Sequence, residues 1–122
     1  MKLLFVDNED DIVSLMEIAL MGDDIELTVA GSGSEGISAI DAGDFDVFLF
    51  DLMMPKPDGL DLLARVRSTP RHADKPVVIW TAKVSAATER TLLGAGATAV
   101  LPKPFDPLDL PDYLRRLTEQ TA

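Results

Sequence analysis

Residues 47–59 read V-F-L-F-D-L-M-M-P-K-P-D-G, and no other stretch restricts the fold as strongly. Four consecutive apolar residues leave no polar face, so a strand built from them must be covered on both sides. A carboxylate is rarely left inside such a run unless it is paired or stands at the end. Asp51 is therefore expected at the C-terminal edge of a central strand. The chain beyond it cannot prolong that strand, because Pro55 and Pro57 lack N–H donors and Asp58-Gly59 is turn chemistry. In open α/β sheets, that edge is where ligands bind.

The flanking sequence repeats the same alternation. A short apolar strand over 2–6 runs into the acidic cluster Asp7-Asn8-Glu9-Asp10-Asp11. Ile12, Leu15, Met16 and Ala19 then recur at helical spacing, and Gly22 ends the helix. Ile25, Leu27 and Val29 alternate with polar residues, as in a half-exposed strand. A weaker helix follows over 34–42, with Ile37 and Ile40 inward. After the 47–51 strand, Leu60, Leu62, Leu63 and Val66 mark a third helix. The polar loop 68–75 carries Pro70 and His72, the single histidine, which reads as a surface residue. Residues 77–81 form another apolar strand ending in Thr81. A helix over 85–93 has a thin apolar face and is expected to be the most mobile; Gly94-Ala95-Gly96 caps it. A short strand over 99–101 precedes Pro102-Lys103-Pro104. Leu110, Tyr113, Leu114 and Leu117 mark the last helix, with Pro107 suited to its first turn and Pro111 able to shift its start. Five strand–helix alternations imply a parallel sheet covered on both faces.

The 122 residues are enough for one domain, read as spanning 1–122. A formal charge of −10 argues against direct contact with nucleic-acid phosphates. No segment approaches the length of a membrane span, and the apolar start is too short for a signal peptide. The absence of cysteine fits a reducing compartment, so the expected location is the cytoplasm.

A parallel sheet gathers its strand C-termini on one edge. Asp7 and Asn8, Asp51, Thr81 and Lys103 would meet there. Taken singly, each has a plain reading: acids at a helix N-terminus, a strand-end hydroxyl, a solvated lysine. Together they suit phosphoryl chemistry. Oxygen ligands fit a hard divalent cation, a lysine and a hydroxyl hold phosphoryl oxygens, and an aspartate beside such a cation is a nucleophile toward phosphorus.

V-D-N-E at 6–9, D-x-x-M-P-x-P-D-G at 51–59, W-T-A at 80–82 and L-P-K-P-F at 101–105 together resemble the receiver domain of two-component response regulators. The resemblance covers nearly the whole chain. It implies a flavodoxin-like (βα)5 sandwich with strand order 2-1-3-4-5 and a site at the switch point. It further implies that Asp51 is the phosphoacceptor, supplied by a sensor histidine kinase or a histidine phosphotransfer protein. Asp7, Asn8, Asp51 and the backbone carbonyl of Met53 would surround Mg2+, with Mn2+ as the alternative ion. Lys103 would pair with Asp51 and neutralise the acyl phosphate; Thr81 would bind a phosphoryl oxygen, beside a small Ala82. The Lys103–Pro104 bond is expected to be cis. The implied output surface, toward an unnamed protein target, comprises the fourth helix, fifth strand and fifth helix. Two positions depart from the family pattern: Asn8 replaces a second acid, for which Glu9 is a substitute, and Val100 replaces an aromatic switch residue.

Three other readings compete. Gly31-x-Gly33-x-x-Gly36 is a literal dinucleotide-binding fingerprint, although it follows a half-exposed strand. An aspartate-nucleophile phosphatase would need an acid–base residue two places after Asp51, where Met53 stands. A pseudo-receiver that binds partners without phosphorylation is favoured by Asn8 and Val100 and disfavoured by Asp51, Thr81 and Lys103. Trp80 reads as a packing residue and a fluorescence reporter, and Lys83 as a residue reaching either the phosphoryl group or solvent.

Overall fold

Five parallel strands form one sheet in the order β2-β1-β3-β4-β5 in a computed structural model. It describes residues 1–122 apart from Asp23, Lys83, Pro104, Ala122 and the side chain of Thr121. In chain order the elements are β1 (Lys2–Val6), α1 (Asp10–Ala19), β2 (Glu26–Ala30), α2 (Gly33–Ala42), β3 (Val47–Asp51), α3 (Gly59–Ser68), β4 (Val77–Thr81), α4 (Ala86–Gly94), β5 (Ala99–Pro102) and α5 (Leu110–Thr121). The parallel sheet is the one expected from the alternation, and its order is the flavodoxin-like (βα)5 arrangement implied by the family resemblance.

Burial explains the order. Every residue of β3 and β4 is buried, as central strands require, whereas β2 alternates exposed and covered residues at the sheet edge. Successive side chains point to opposite faces. Leu4, Val6, Phe48, Phe50, Val77 and Ile79 pack on one face with residues of α2 and α3 and with Leu92 of α4. Leu3, Phe5, Val47, Leu49, Val78 and Trp80 pack on the other with Met16 of α1 and Leu110 and Leu114 of α5.

Local signals set the helix ends. Ser32 and Ser85 accept the N3 backbone N–H groups of α2 and α4. Asp58 and Asp61 form a reciprocal capping box that starts α3 and turns the chain away from the end of β3. Gly59 is required at that turn: a Cβ there would lie 2.7 Å from the Asp51 carbonyl oxygen. Pro107 sits in a turn before α5, which begins at Leu110 with Pro111 in its first turn, where no N–H is needed. In α4, Leu92 is the buried residue, in keeping with the thin apolar face.

One expectation is corrected. His72 is not at the surface; it is 1% exposed, edge-on to Phe48, and its Nε2 accepts the Phe45 N–H at 3.2 Å. Polar neighbours concealed it: the Arg71 guanidinium reaches the carbonyls of Ile40, Asp41 and Gly43, while the His72 ring packs against Phe45 and Phe48. The glycine fingerprint has a packing cause: it follows edge strand β2, and a Cβ on Gly33 would meet the Pro57 carbonyl oxygen at 1.8 Å. The described cis peptide bond is Lys56–Pro57. The expected cis bond at Lys103–Pro104 involves a residue outside the described set, as does the reading of Lys83.

Candidate active site at the C-terminal edge of the sheet

The alternation of strand side chains decides which groups meet. Asp7 extends the β1 ladder by donating its N–H to the Ala30 carbonyl, and it follows Phe5 by two residues. Asp51 follows Leu49 by two. Both carboxylates therefore lie on the α1/α5 side, where β5 and the loop after it deliver Lys103. Thr81 follows Ile79 by two and lies on the α4 side of the edge.

Lys103 Nζ is 3.0 Å from Asp7 Oδ2, 3.3 Å from Glu9 Oε1 and 3.5 Å from Asp51 Oδ1. Its side chain is 13% exposed, that of Asp7 fully buried and that of Asp51 2% exposed. Burial works against the ammonium charge, but the hydrogen bond to Asp7 and the charges of Asp7 and Asp51 outweigh it and raise the lysine's pKa. Burial, then the Asp7 charge, push the Asp51 carboxyl above the ordinary carboxylate range; Lys103 and the Met53 N–H pull the other way. That N–H donates to Asp51 Oδ1 at 3.1 Å, and the Glu9 N–H donates to Asp7 Oδ1 at 2.9 Å.

Carboxylate oxygens of Asp7, Glu9 and Asp51 lie within 4.8 Å of one another. An all-oxygen set of this charge fits a hard divalent cation. Asn8 is exposed and lines a separate hollow with Ser32, Gly33 and residues 54–57. Thr81 is fully buried, and its carbonyl accepts the Lys103 N–H at 2.9 Å, tying β4 to the lysine loop.

The family model for the response regulator receiver domain matches residues 3–115. The chain belongs to that family. Receiver domains of this family act in two-component systems, and this chain is such a domain; the pseudo-receiver reading is not favoured. Among curated relatives it is 33% identical to the transcriptional regulatory protein TrcR of Mycobacterium tuberculosis, covering 99% of this chain and 46% of TrcR. It is 32% identical to the transcriptional regulatory protein CpxR of Escherichia coli, covering 98% of this chain and 50% of CpxR. The receiver thus spans about half the length of the curated relatives it matches. The Francisella response regulator 1452 receiver domain superposes with a TM-score of 0.89 at 30% identity, covering 99% of this chain and 98% of the other. A Pseudomonas aeruginosa receiver domain, PA1611REC, solved with magnesium in its active-site cleft, has a TM-score of 0.86 at 22% identity, with 97% of each chain covered.

In this receiver domain the fold gathers Asp7, Asp51 and Lys103 as the sequence predicted, with Thr81 and the Met53 backbone beside them. It brings in Glu9, expected only as a substitute. Sequence reasoning missed one member. Trp80 Nε1 donates to Asp7 Oδ2 at 3.2 Å, and Lys103 Nζ stands 4.9 Å from the centroid of the same ring. The available signal was parity: Trp80 pairs with Asp51 across the ladder and shares the face of Phe5.

Proposed function

We propose that Asp51 accepts a phosphoryl group from a phosphohistidine on a sensor histidine kinase or histidine phosphotransfer protein. The observation that carries this reading is the buried Asp51 carboxylate held at the sheet edge between Asp7 and Lys103. Oδ1 is engaged by the Met53 N–H, which leaves Oδ2 to attack phosphorus. The P–N bond of the donor breaks, its electron pair returns to the histidine ring, and an acyl phosphate forms on Asp51. Lys103 neutralises the oxygen charge that develops, and the Thr81 hydroxyl binds a phosphoryl oxygen. Self-dephosphorylation reverses the charge change: water attacks phosphorus, and Asp51 leaves as a carboxylate with inorganic phosphate released.

Asp7, Glu9, Asp51 and the Met53 carbonyl are the residues that would hold Mg2+ or Mn2+, with Asn8 offering a carbonyl oxygen at the rim. When bound, the ion supplies positive charge to the transferring phosphoryl group. The magnesium in the cleft of PA1611REC supports this reading. Phosphorylation adds charge at the edge, and Thr81 redistributes between two conformers. The output face is α4, β5 and α5, toward a protein target; the named relatives are transcriptional regulators. No described helix is long and apolar enough to cross a membrane, and the cytoplasm is the proposed location.

Incubation with acetyl phosphate and Mg2+, followed by intact-mass measurement and acid-lability analysis, tests the assignment. Wild-type protein should gain one acid-labile phosphoryl group and Asp51→Asn none. Undiminished labelling of Asp51→Asn would place the phosphosite elsewhere.

A further inference from the structure

The chain has one tryptophan, and its ring nitrogen is buried against a carboxylate of the site. Burying an indole N–H is favourable only with an acceptor, and here the acceptor is an ionisable group rather than a backbone carbonyl. Asp7 Oδ2 is shared between the Trp80 N–H and Lys103 Nζ, while Oδ1 takes the Glu9 N–H. The indole meets Phe5 edge-on with centroids 5.7 Å apart, and it is 3% exposed, so its own position is fixed by the core. One rigid side chain therefore fixes an oxygen of Asp7 and also presents its π face to the lysine.

We propose that Trp80 is a positioning residue of the phosphoryl-transfer site. Its N–H holds the Asp7 carboxylate in orientation when Lys103 turns from Asp7 to the phosphoryl group on Asp51. The dependence on Lys103 movement rests on the phosphoacceptor reading; the hold on Asp7 does not. Without the indole N–H, Asp7 Oδ2 keeps only the mobile ammonium, and once that leaves the carboxylate is held by the Glu9 N–H on Oδ1 alone. A group that orients a metal-ligating carboxylate from behind contributes about tenfold or more to metal affinity.

Three measurements test this. The single indole resonance of 15N-labelled, metal-free protein should be shifted downfield and slow to exchange, and Asp7→Ala should move it upfield. An unmoved resonance in Asp7→Ala would overturn the contact. By calorimetry, Trp80→Phe, which keeps a ring face and removes the N–H, should bind Mg2+ about tenfold more weakly than wild type. Unchanged affinity in folded Trp80→Phe would overturn the positioning role. With beryllium fluoride and Mg2+ added to wild type, the indole proton should stay protected. Loss of protection would show that the hold on Asp7 is released with Lys103 and would overturn the proposed sequence of events. If wild type takes no label from acetyl phosphate, the phosphoacceptor reading fails, while the first two measurements still decide the Trp80–Asp7 contact.

Discussion

Replacing Lys103 by Met removes the one cation that three carboxylates share among the described residues. Methionine keeps the length and apolar stem of the side chain and deletes the charge. At an effective dielectric of about 20, unit charges at the observed 3.0 Å and 3.5 Å attract by about 5.5 and 4.7 kcal/mol. Much of that gross attraction is offset in the wild type by desolvating the ammonium. Removing one partner of a buried pair nevertheless costs about 3–5 kcal/mol, because the other charge stays buried and uncompensated. Asp7 and Asp51 are both left in that state, so Lys103→Met should lose about 3–5 kcal/mol in metal-free buffer. For a domain of this size the loss corresponds to a fall in Tm of about 12–20 °C. The same substitution leaves the oxygen donors in place and removes a competing cation. Mg2+ should therefore raise the Tm of Lys103→Met by more than it raises that of wild type, by ligand linkage. Thermal unfolding by circular dichroism, with and without Mg2+, measures both effects. A metal-free loss below about 1 kcal/mol would show that the carboxylates are already solvated or protonated and would refute the shared-cation account. So would an equal Mg2+ response in the two proteins.

Asn8→Asp should tighten Mg2+ binding about tenfold, since a carboxylate about 5 Å from a divalent ion gains about 1.7 kcal/mol even at the dielectric of water; equal affinity by calorimetry would mean that Glu9 already supplies the missing charge. Val100 is half-buried against the α2/α3 core face, so Val100→Ala should cost about 0.5–1.5 kcal/mol in urea unfolding yet preserve the change in partner affinity on adding beryllium fluoride, whereas Thr81→Ala should abolish that change. Loss of discrimination in a Val100→Ala protein that still binds the mimic would place the switch at Val100. Burial first, then Arg71 and Lys75 against Asp44, hold the His72 pKa below its ordinary value. The unfolded chain therefore binds more protons, so this contribution is complete above about pH 6.5 and is lost as pH falls through the folded-state value. His72→Gln, which keeps an acceptor for the Phe45 N–H, should flatten the pH dependence of stability in that window, and an unchanged slope would assign the acid loss to other groups.

The strand–helix alternation and the residues at the strand ends were legible because they follow from local rules, whereas the strand order came from the family resemblance. A continuous apolar run ending in a carboxylate and turn residues reads as a doubly covered strand, and an alternating one as a half-exposed strand, so residues 47–51 and 25–29 announced their character. The same period of two, once the β1/β3 register is known, puts Asp7 and Asp51 on one side of the edge. His72 and Glu9 were harder. The polar 68–75 loop gave no sign that one ring turns inward, and the acidic run 7–11 gave no sign which member faces the lysine.

By itself the sequence determined the layered α/β architecture, the ends of its helices and the candidate nucleophile, because hydrophobic period, capping residues and turn residues act within a few positions of the chain. Only the tertiary structure decided that Trp80, seventy-three residues from Asp7, donates to its carboxylate, and that Lys103 reaches three acids together. Those contacts depend on the parallel register that sets β1, β3, β4 and β5 side by side and on angstrom-scale packing of side chains across it. No pattern along a single chain carries that distance information.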